Sequence, residues 1–377
     1  MKRNLVLVVA VVALVAVVVF AAMSFLRPET KAYATLQVNP QFEFAVDRDN
    51  QVINVVALSE DAKQVMSDLR LAGRDLTEAL KLVTEKTIAL GLVAPNMEFV
   101  FLLRPATVGV DVQMLKELAT RAKESISASL LAANLNTEVK AAVISKEMFE
   151  LWKGNRYLLE AYADLAEMNV SEAVIREILT LAEQGLVDKT KFEEELHTVV
   201  AAMTDMIEAG LNEEHALAFL RRALALDSEL DELSTIAAAL IDVHEAGGNP
   251  EHLLKFMEEA LRNGVTQETM LAELTTVAAA YIDMVEAGLT PDVAKSLLAE
   301  AMKADPALLE VTTVVAAAID MVEAGQTEAE AIAKIQAAIK ADPSLDTLGE
   351  RLGVSDKDAD KAKDQADSAE DTEGGGE

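Results

Sequence analysis

The stretch ATLQVNPQFEFAVD, Ala34–Asp47, reads as two strands with a break between them. Ala34, Leu36 and Val38 alternate with Thr35 and Gln37, and Phe42, Phe44 and Val46 alternate with Glu43 and Ala45. A period of two is that of a strand with one buried face. Pro40 has no N–H to give to a ladder, which makes a strand interior a poor place for it. Asn39-Pro40 therefore marks a turn or an irregularity between two pairing segments. Asp47-Arg48-Asp49-Asn50 is turn chemistry, and Gln51–Leu58 is a third strand. The three form a β-meander.

Downstream, Ser59 is placed to cap a helix that exposes Lys63 and Gln64. Asp75–Leu90 is a second helix, with Leu76, Leu80, Leu82, Val83 and Ile88 on its apolar face and Gly91 as its stop. Met97–Leu103 is a strand, Val112–Ala133 a long amphipathic helix and Thr137–Ile144 a last strand. This order predicts an α+β domain over residues 32–157, an antiparallel sheet with helices on one face. Trp152, the only tryptophan, is expected at the junction with the next domain.

The next region is helical and repetitive. ELHTVVAAMTDMIEAG from Glu195, ELSTIAAALIDVHEAG from Glu232, ELTTVAAAYIDMVEAG from Glu273 and EVTTVVAAAIDMVEAG from Glu310 align with one another. Their closing glycines are Gly210, Gly247, Gly288 and Gly325, at periods of 37, 41 and 37 residues. Each segment is followed by a second helix, two of which stop before Pro306 and Pro343. Hairpins of this kind bury their faces by stacking, so residues 158–352 read as a short all-α solenoid. Asn155–Glu183 reads as less regular helix joining it to the sheet domain. The stretch from 353 to 377 is acidic and nearly free of apolar residues, the composition of a disordered tail.

At the other end, Leu5–Leu26 is apolar except for Ser24. A helix of that length spans about 33 Å, enough for a hydrocarbon core of about 30 Å. It is long for a cleaved signal peptide, so a single-pass signal anchor is the preferred reading. Lys2 and Arg3 would stay in the cytoplasm with the stub 1–4, and the bulk of the chain would be extracytoplasmic.

The remaining chemistry is sparse. The net charge of −31 repels phosphates and sets nucleic-acid binding aside. No cysteine is present, which removes disulfides and thiol chemistry. The four histidines, His197, His215, His244 and His252, have no zinc-site spacing, and no cofactor, metal or small-molecule substrate is implied. Each repeat carries two carboxylates three residues apart: Asp205 and Glu208, Asp242 and Glu245, Asp283 and Glu286, Asp320 and Glu323. That spacing puts each pair on one helical face, and stacking would align them as an acidic ridge. A solvated helix face is the plainer reading, and a surface for a cationic partner or Ca²⁺ the functional one. Thr198, Thr235, Thr276 and Thr313 recur near helix starts, where a hydroxyl could cap.

Asn39-Pro40 is the one place where the backbone itself has a reaction open to it. In most sequences the next backbone nitrogen attacks an Asn side chain and deamidates it, a route that Pro40 closes. Attack by the Asn39 amide nitrogen on its own carbonyl remains, and it breaks the chain. A bare Asn-Pro pair is ordinarily only a strand break.

The context is more specific. LQVNPQFEFAVDRDNQVINVVALSEDAKQV from Leu36, LRLAGRDLTEALKLVTEKTIALGLV from Leu69 and ISKEMFELWKGNRY from Ile144 resemble the extracytoplasmic middle domain of RsgI-type anti-sigma factors. That resemblance implies self-cleavage between Asn39 and Pro40, with both pieces held in one fold. Separation of the pieces can then start regulated proteolysis of the membrane-bound piece, which frees a sigma factor. The family's cytoplasmic sigma-binding domain has no counterpart in Met1–Asn4, and helical repeats stand where relatives often carry a carbohydrate-binding module. The expectation is a membrane-anchored sensor, not an enzyme apart from a single-turnover cleavage, with an envelope protein as partner of the repeats. The alternative is an uncleaved, membrane-tethered scaffold. A hydrolase has no recognisable catalytic constellation here.

Overall fold

A computed structural model describes residues 29–94, 97–185, 191–226, 232–345 and 347–353. The expected anchor Leu5–Leu26 and the tail beyond Gly353 lie outside them. Among the described residues no helix is long and apolar enough to cross a membrane. The chain divides into two units between Glu172 and Ala173.

In the first unit the meander forms as β1 (Ala32–Gln37), β2 (Phe42–Val46) and β3 (Val52–Ala57). Helices α1 (Glu60–Met66) and α2 (Leu76–Ala89) come next, then β4 (Phe99–Pro105), α3 (Val112–Ala132) and β5 (Val139–Val143). The sheet order is β3-β2-β1-β4-β5. Ser59 and Asp75 cap α1 and α2 through their side chains, and Gly91 turns the chain at φ 67°.

The expected antiparallel sheet is corrected to a mixed one, because β4 and β5 pair in parallel. A parallel neighbour needs a long crossover, and α3 supplies it. The helices are not confined to one face either. Ala34, Leu36, Phe42, Phe44, Phe101 and Leu103 point to a core shared with α1, α2 and α3. The opposite face, which carries Tyr33, Arg104 and Lys140, is covered by α4 (Lys146–Trp152) and α5 (Arg156–Glu167). Trp152 is buried and packs against Tyr162 of the same unit, ring centroids 6.4 Å apart. The segment after Asn155 is regular helix, and α5 packs on β5.

The second unit begins within α6 (Glu172–Gly185). The repeats are α7 (Phe192–Glu208) with α8 (Glu213–Leu226), and α9 (Leu233–Glu245) with α10 (Pro250–Arg262). After the short α11 (Gln267–Ala272) come α12 (Leu274–Glu286) with α13 (Pro291–Ala304), and α14 (Val311–Glu323) with α15 (Glu328–Ala341) and α16 (Leu348–Leu352). The additional α11 accounts for the 41-residue period. First helices pack on first helices in the order α7-α9-α12-α14, and α10, α13 and α15 succeed one another in the same way. The closing glycines all adopt positive φ, between 79° and 95°, where a β-carbon is disfavoured. Gly248 answers to a different constraint: a β-carbon there would meet Tyr281 Cε1 at 2.6 Å and the Val243 carbonyl at 2.9 Å.

The repeated threonines do not cap. Thr198 Oγ1 donates back to the Glu194 carbonyl at 3.1 Å, and Thr313 Oγ1 to the Glu310 carboxylate at 2.7 Å. They sit inside the helix, where a hydroxyl finds the preceding turn instead of an orphan N–H.

Candidate functional site

The loop between β1 and β2 is Val38-Asn39-Pro40-Gln41. Val38 and Pro40 are buried and Asn39 is exposed, so the ends are anchored and the amide side chain is free. The Asn39-Pro40 peptide bond is cis. The Asn39 side chain has no hydrogen-bond partner among the described residues, which leaves its nitrogen available. Beyond the loop, Gln41 N–H donates to Ser59 Oγ at 3.1 Å, and Leu58 N–H donates to the Gln41 carbonyl at 2.9 Å.

The strand before the loop is the centre of the sheet. β1 pairs antiparallel with β2 from Ala32↔Val46 to Leu36↔Phe42, and with β4 from Ala32↔Pro105 to Gln37↔Val100. Ala32, Ala34, Leu36 and Val38 are all at most 2% exposed. On the other face Arg104 of β4 pairs with Glu43 of β2 and stacks over Tyr33 of β1 at 4.5 Å and Phe149 of α4 at 4.7 Å. This cation–π cluster ties the two neighbours of β1 across it. Against that, Thr35 Oγ1 and Gln37 Oε1 on β1 are buried without a partner.

Near β5 lies a groove of about 840 Å³ lined by Val112, Lys116, Ala119, Val143 and Tyr162, among others. β5 is an edge strand, and side chains take up two of its outward polar groups and one just beyond it. Ala141 N–H donates to Glu167 at 2.8 Å, the Val143 carbonyl accepts from Tyr162 Oη at 3.0 Å, and Ser145 N–H donates to Glu172 at 2.9 Å. Lys123 of α3 reaches Glu167 at 2.6 Å across the groove. Burial, and then the charge of Glu172, push the Tyr162 hydroxyl far above the ordinary phenol range, so it stays a donor. This is how a sheet edge is kept from pairing with another chain.

Lys140 is buried beside Asp164 at 2.9 Å and Glu98 at 3.2 Å. Burial pulls its pKa down, but the bonds and charges of the two carboxylates outweigh it, and the ammonium titrates above the ordinary lysine range.

The repeat carboxylates stand on successive, mutually packed helices. Asp205, Glu208, Asp242, Glu245, Asp283, Glu286 and Glu323 are exposed and Asp320 is half-buried. Partial desolvation by the surrounding chain, and then the like charge of Glu286, push the Asp283 carboxyl up. Among the described residues no group of three or more acidic, His or Cys side chains could hold a metal ion, so the Ca²⁺ reading finds no coordinating cluster.

Sequence reasoning identified Ser59 as a cap but missed its bond to Gln41. It also missed the Arg104 cluster, Lys140 and the side chains covering β5. Those partners lie 18 to 71 residues apart, and only the tertiary fold brings them together.

The family model for the anti-sigma factor RsgI-like central domain matches residues 31–163. That stretch is an RsgI-like central domain. The match runs past the expected end at 157 into α5, the helix that packs on β5. Similar curated proteins come from Acetivibrio thermocellus. Anti-sigma-I factor RsgI9 is 36% identical over 69 residues, 18% of this chain and 10% of that protein. Anti-sigma-I factor RsgI4 is 25% identical over 134 residues, 35% of this chain and 26% of that protein. Anti-sigma-I factor RsgI6 is 27% identical over 96 residues, 26% of this chain and 13% of that protein. The chain thus spans between 10% and 26% of the length of these relatives.

Proposed function

We propose that this protein acts in anti-sigma-I-type signalling as a membrane-anchored extracytoplasmic sensor, with an RsgI-like domain that cuts its own chain between Asn39 and Pro40. The observation that carries this reading is the position of Asn39-Pro40 at the end of the central strand. A cut there severs β1 from the rest of the sheet while both of its ladders remain. Fragment 1–39 would stay seated between β2 and β4, and the chain from Pro40 onward would keep everything else.

The chemistry balances without a cofactor. Asn39 Nδ2 bonds to the Asn39 carbonyl carbon and the bond from that carbon to Pro40 N breaks. One proton passes from Nδ2 to the prolyl nitrogen. The products are a carboxy-terminal succinimide, opened later by water, and a new amino-terminal proline. An amide is a weak nucleophile, so the rate rests on how the loop positions it.

The apolar run Leu5–Leu26 supports the anchor. In this reading the anchor is detachable: a pull, or a partner bound to the acidic ridge of the repeats, draws the ectodomain off residues 1–39. Comparing gel filtration of the native protein with denaturing electrophoresis tests it. The expected result is one native species that separates into two bands on denaturation. One full-length band under denaturing conditions contradicts the reading.

A further inference from the structure

The first N–H after the proposed cut is that of Gln41, since Pro40 has none. The β2 ladder holds the chain from Phe42 onward, and Gln41 lies just before the strand begins. Its N–H goes to the Ser59 hydroxyl at 3.1 Å, and its carbonyl accepts from Leu58 N–H at 2.9 Å. Both sides of this residue are therefore gripped by the turn between β3 and α1.

Ser59 does two things at once. Its Oγ also accepts from Ala62 N–H at 3.2 Å as the cap of α1. A hydroxyl oxygen has two lone pairs, and both are used. The other capping hydroxyls, Ser145, Thr266 and Thr327, accept backbone N–H groups only from their own helices. The Ser59 bond instead crosses 18 residues to the loop that holds Asn39-Pro40.

We propose that Ser59 is a positioning residue for the self-cleavage, an inference that rests on the reading above and adds a part to it. Its hydroxyl fixes the Pro40-Gln41 unit to the rigid start of α1. The leaving nitrogen then stays in place while the exposed Asn39 amide closes on its own carbonyl. Ser59 touches none of the reacting atoms. It limits how far the loop can turn away from the attacking geometry, and after the cut it holds the new amino terminus.

The test is a timed cell-free translation of the full chain, quenched into denaturant and resolved by electrophoresis. It compares the natural sequence with Ser59→Ala, Ser59→Thr, Ser59→Val and Asp75→Ala, at a temperature where circular dichroism shows all of them folded. Asp75 caps α2 and does not touch the loop, so its loss controls for stability. Losing one positioning hydrogen bond corresponds to about a tenfold slower cut for Ser59→Ala. Ser59→Thr keeps the hydroxyl and should cut at close to the natural rate, whereas the similarly shaped Ser59→Val should be slow, and Asp75→Ala should be unchanged. Equal rates for the Thr and Val variants overturn the inference, as does equal slowing by Asp75→Ala. If the natural chain splits in either case, the self-cleavage reading survives without Ser59. If the natural chain stays whole, both fall together.

Discussion

At the residue scale, the account rests on what an amide nitrogen can reach. Asn39→Ala removes the nucleophile, so that variant should remain one chain on a denaturing gel. Pro40→Ala restores an N–H and reopens attack on the side chain, so peptide mapping should find a deamidated residue 39 in place of rapid scission. A second residue-scale prediction concerns Lys140. Its folded pKa is raised, so its contribution is fully present below the ordinary lysine value of about 10.4 and is lost as pH rises through the folded value. Lys140→Met leaves Asp164 without its cation, and denaturant unfolding at pH 7 should show a loss of about 3 kcal/mol. Burial already pushes the Asp164 carboxyl up, so the variant should recover part of that loss as pH falls toward the carboxylate range. The Asn39-Pro40 pair and the Ser59 cap were legible in the sequence because their cues are local, but the Ser59 bond to Gln41 across 18 residues was not. Lys140 was not: a lysine in an apolar strand becomes informative only when its carboxylate partners are placed beside it.

At the element scale, two strands carry opposite roles. β1 lies between two ladders, yet Thr35 and Gln37 bury polar atoms without partners, and each such atom costs about 1–3 kcal/mol. The central strand is thereby held less tightly than its burial alone would give, which suits the detachable role proposed for it. Thr35→Val removes one of these atoms and should raise the urea concentration at which fragment 1–39 separates from the rest, read by gel filtration across a urea series. β5 is closed by Tyr162, Glu167 and Glu172. Truncating Glu167 and Glu172 together to Ala should bare the Ala141 N–H of the strand and the Ser145 N–H just beyond it, and produce concentration-dependent association, measured by analytical ultracentrifugation. The strands and helices were readable from their periods. The parallel pairing of β5 was not, because the apolar residues of Thr137–Ile144 fit either direction. Only the crossover through α3 decides it. The repeats were the most legible part, since the EAG ending announces the left-handed glycine each time. The threonines misled for two reasons. Thr198 lies well inside a helix that already begins at Phe192, and at Thr313 the cap position belongs to Glu310.

At the scale of the whole molecule, an RsgI-like domain and a stack of acidic helical hairpins share one chain. In the proposed function the first offers a bond whose breakage would leave a held but separable strand, and the second a row of carboxylates on packed helices, all exposed but the half-buried Asp320. A sensor needs both parts: a junction that can part and a surface that can be gripped. With a net charge of −31, the proposed partner would be cationic, and its hold should weaken with salt. None of this operates if the bond stays closed. The most direct measurement is therefore intact-mass spectrometry of the purified, denatured full-length protein. The account predicts a species beginning at Pro40 and a complementary species ending at residue 39 as succinimide or its hydrolysis product. A single species with the Asn39-Pro40 bond intact would contradict it.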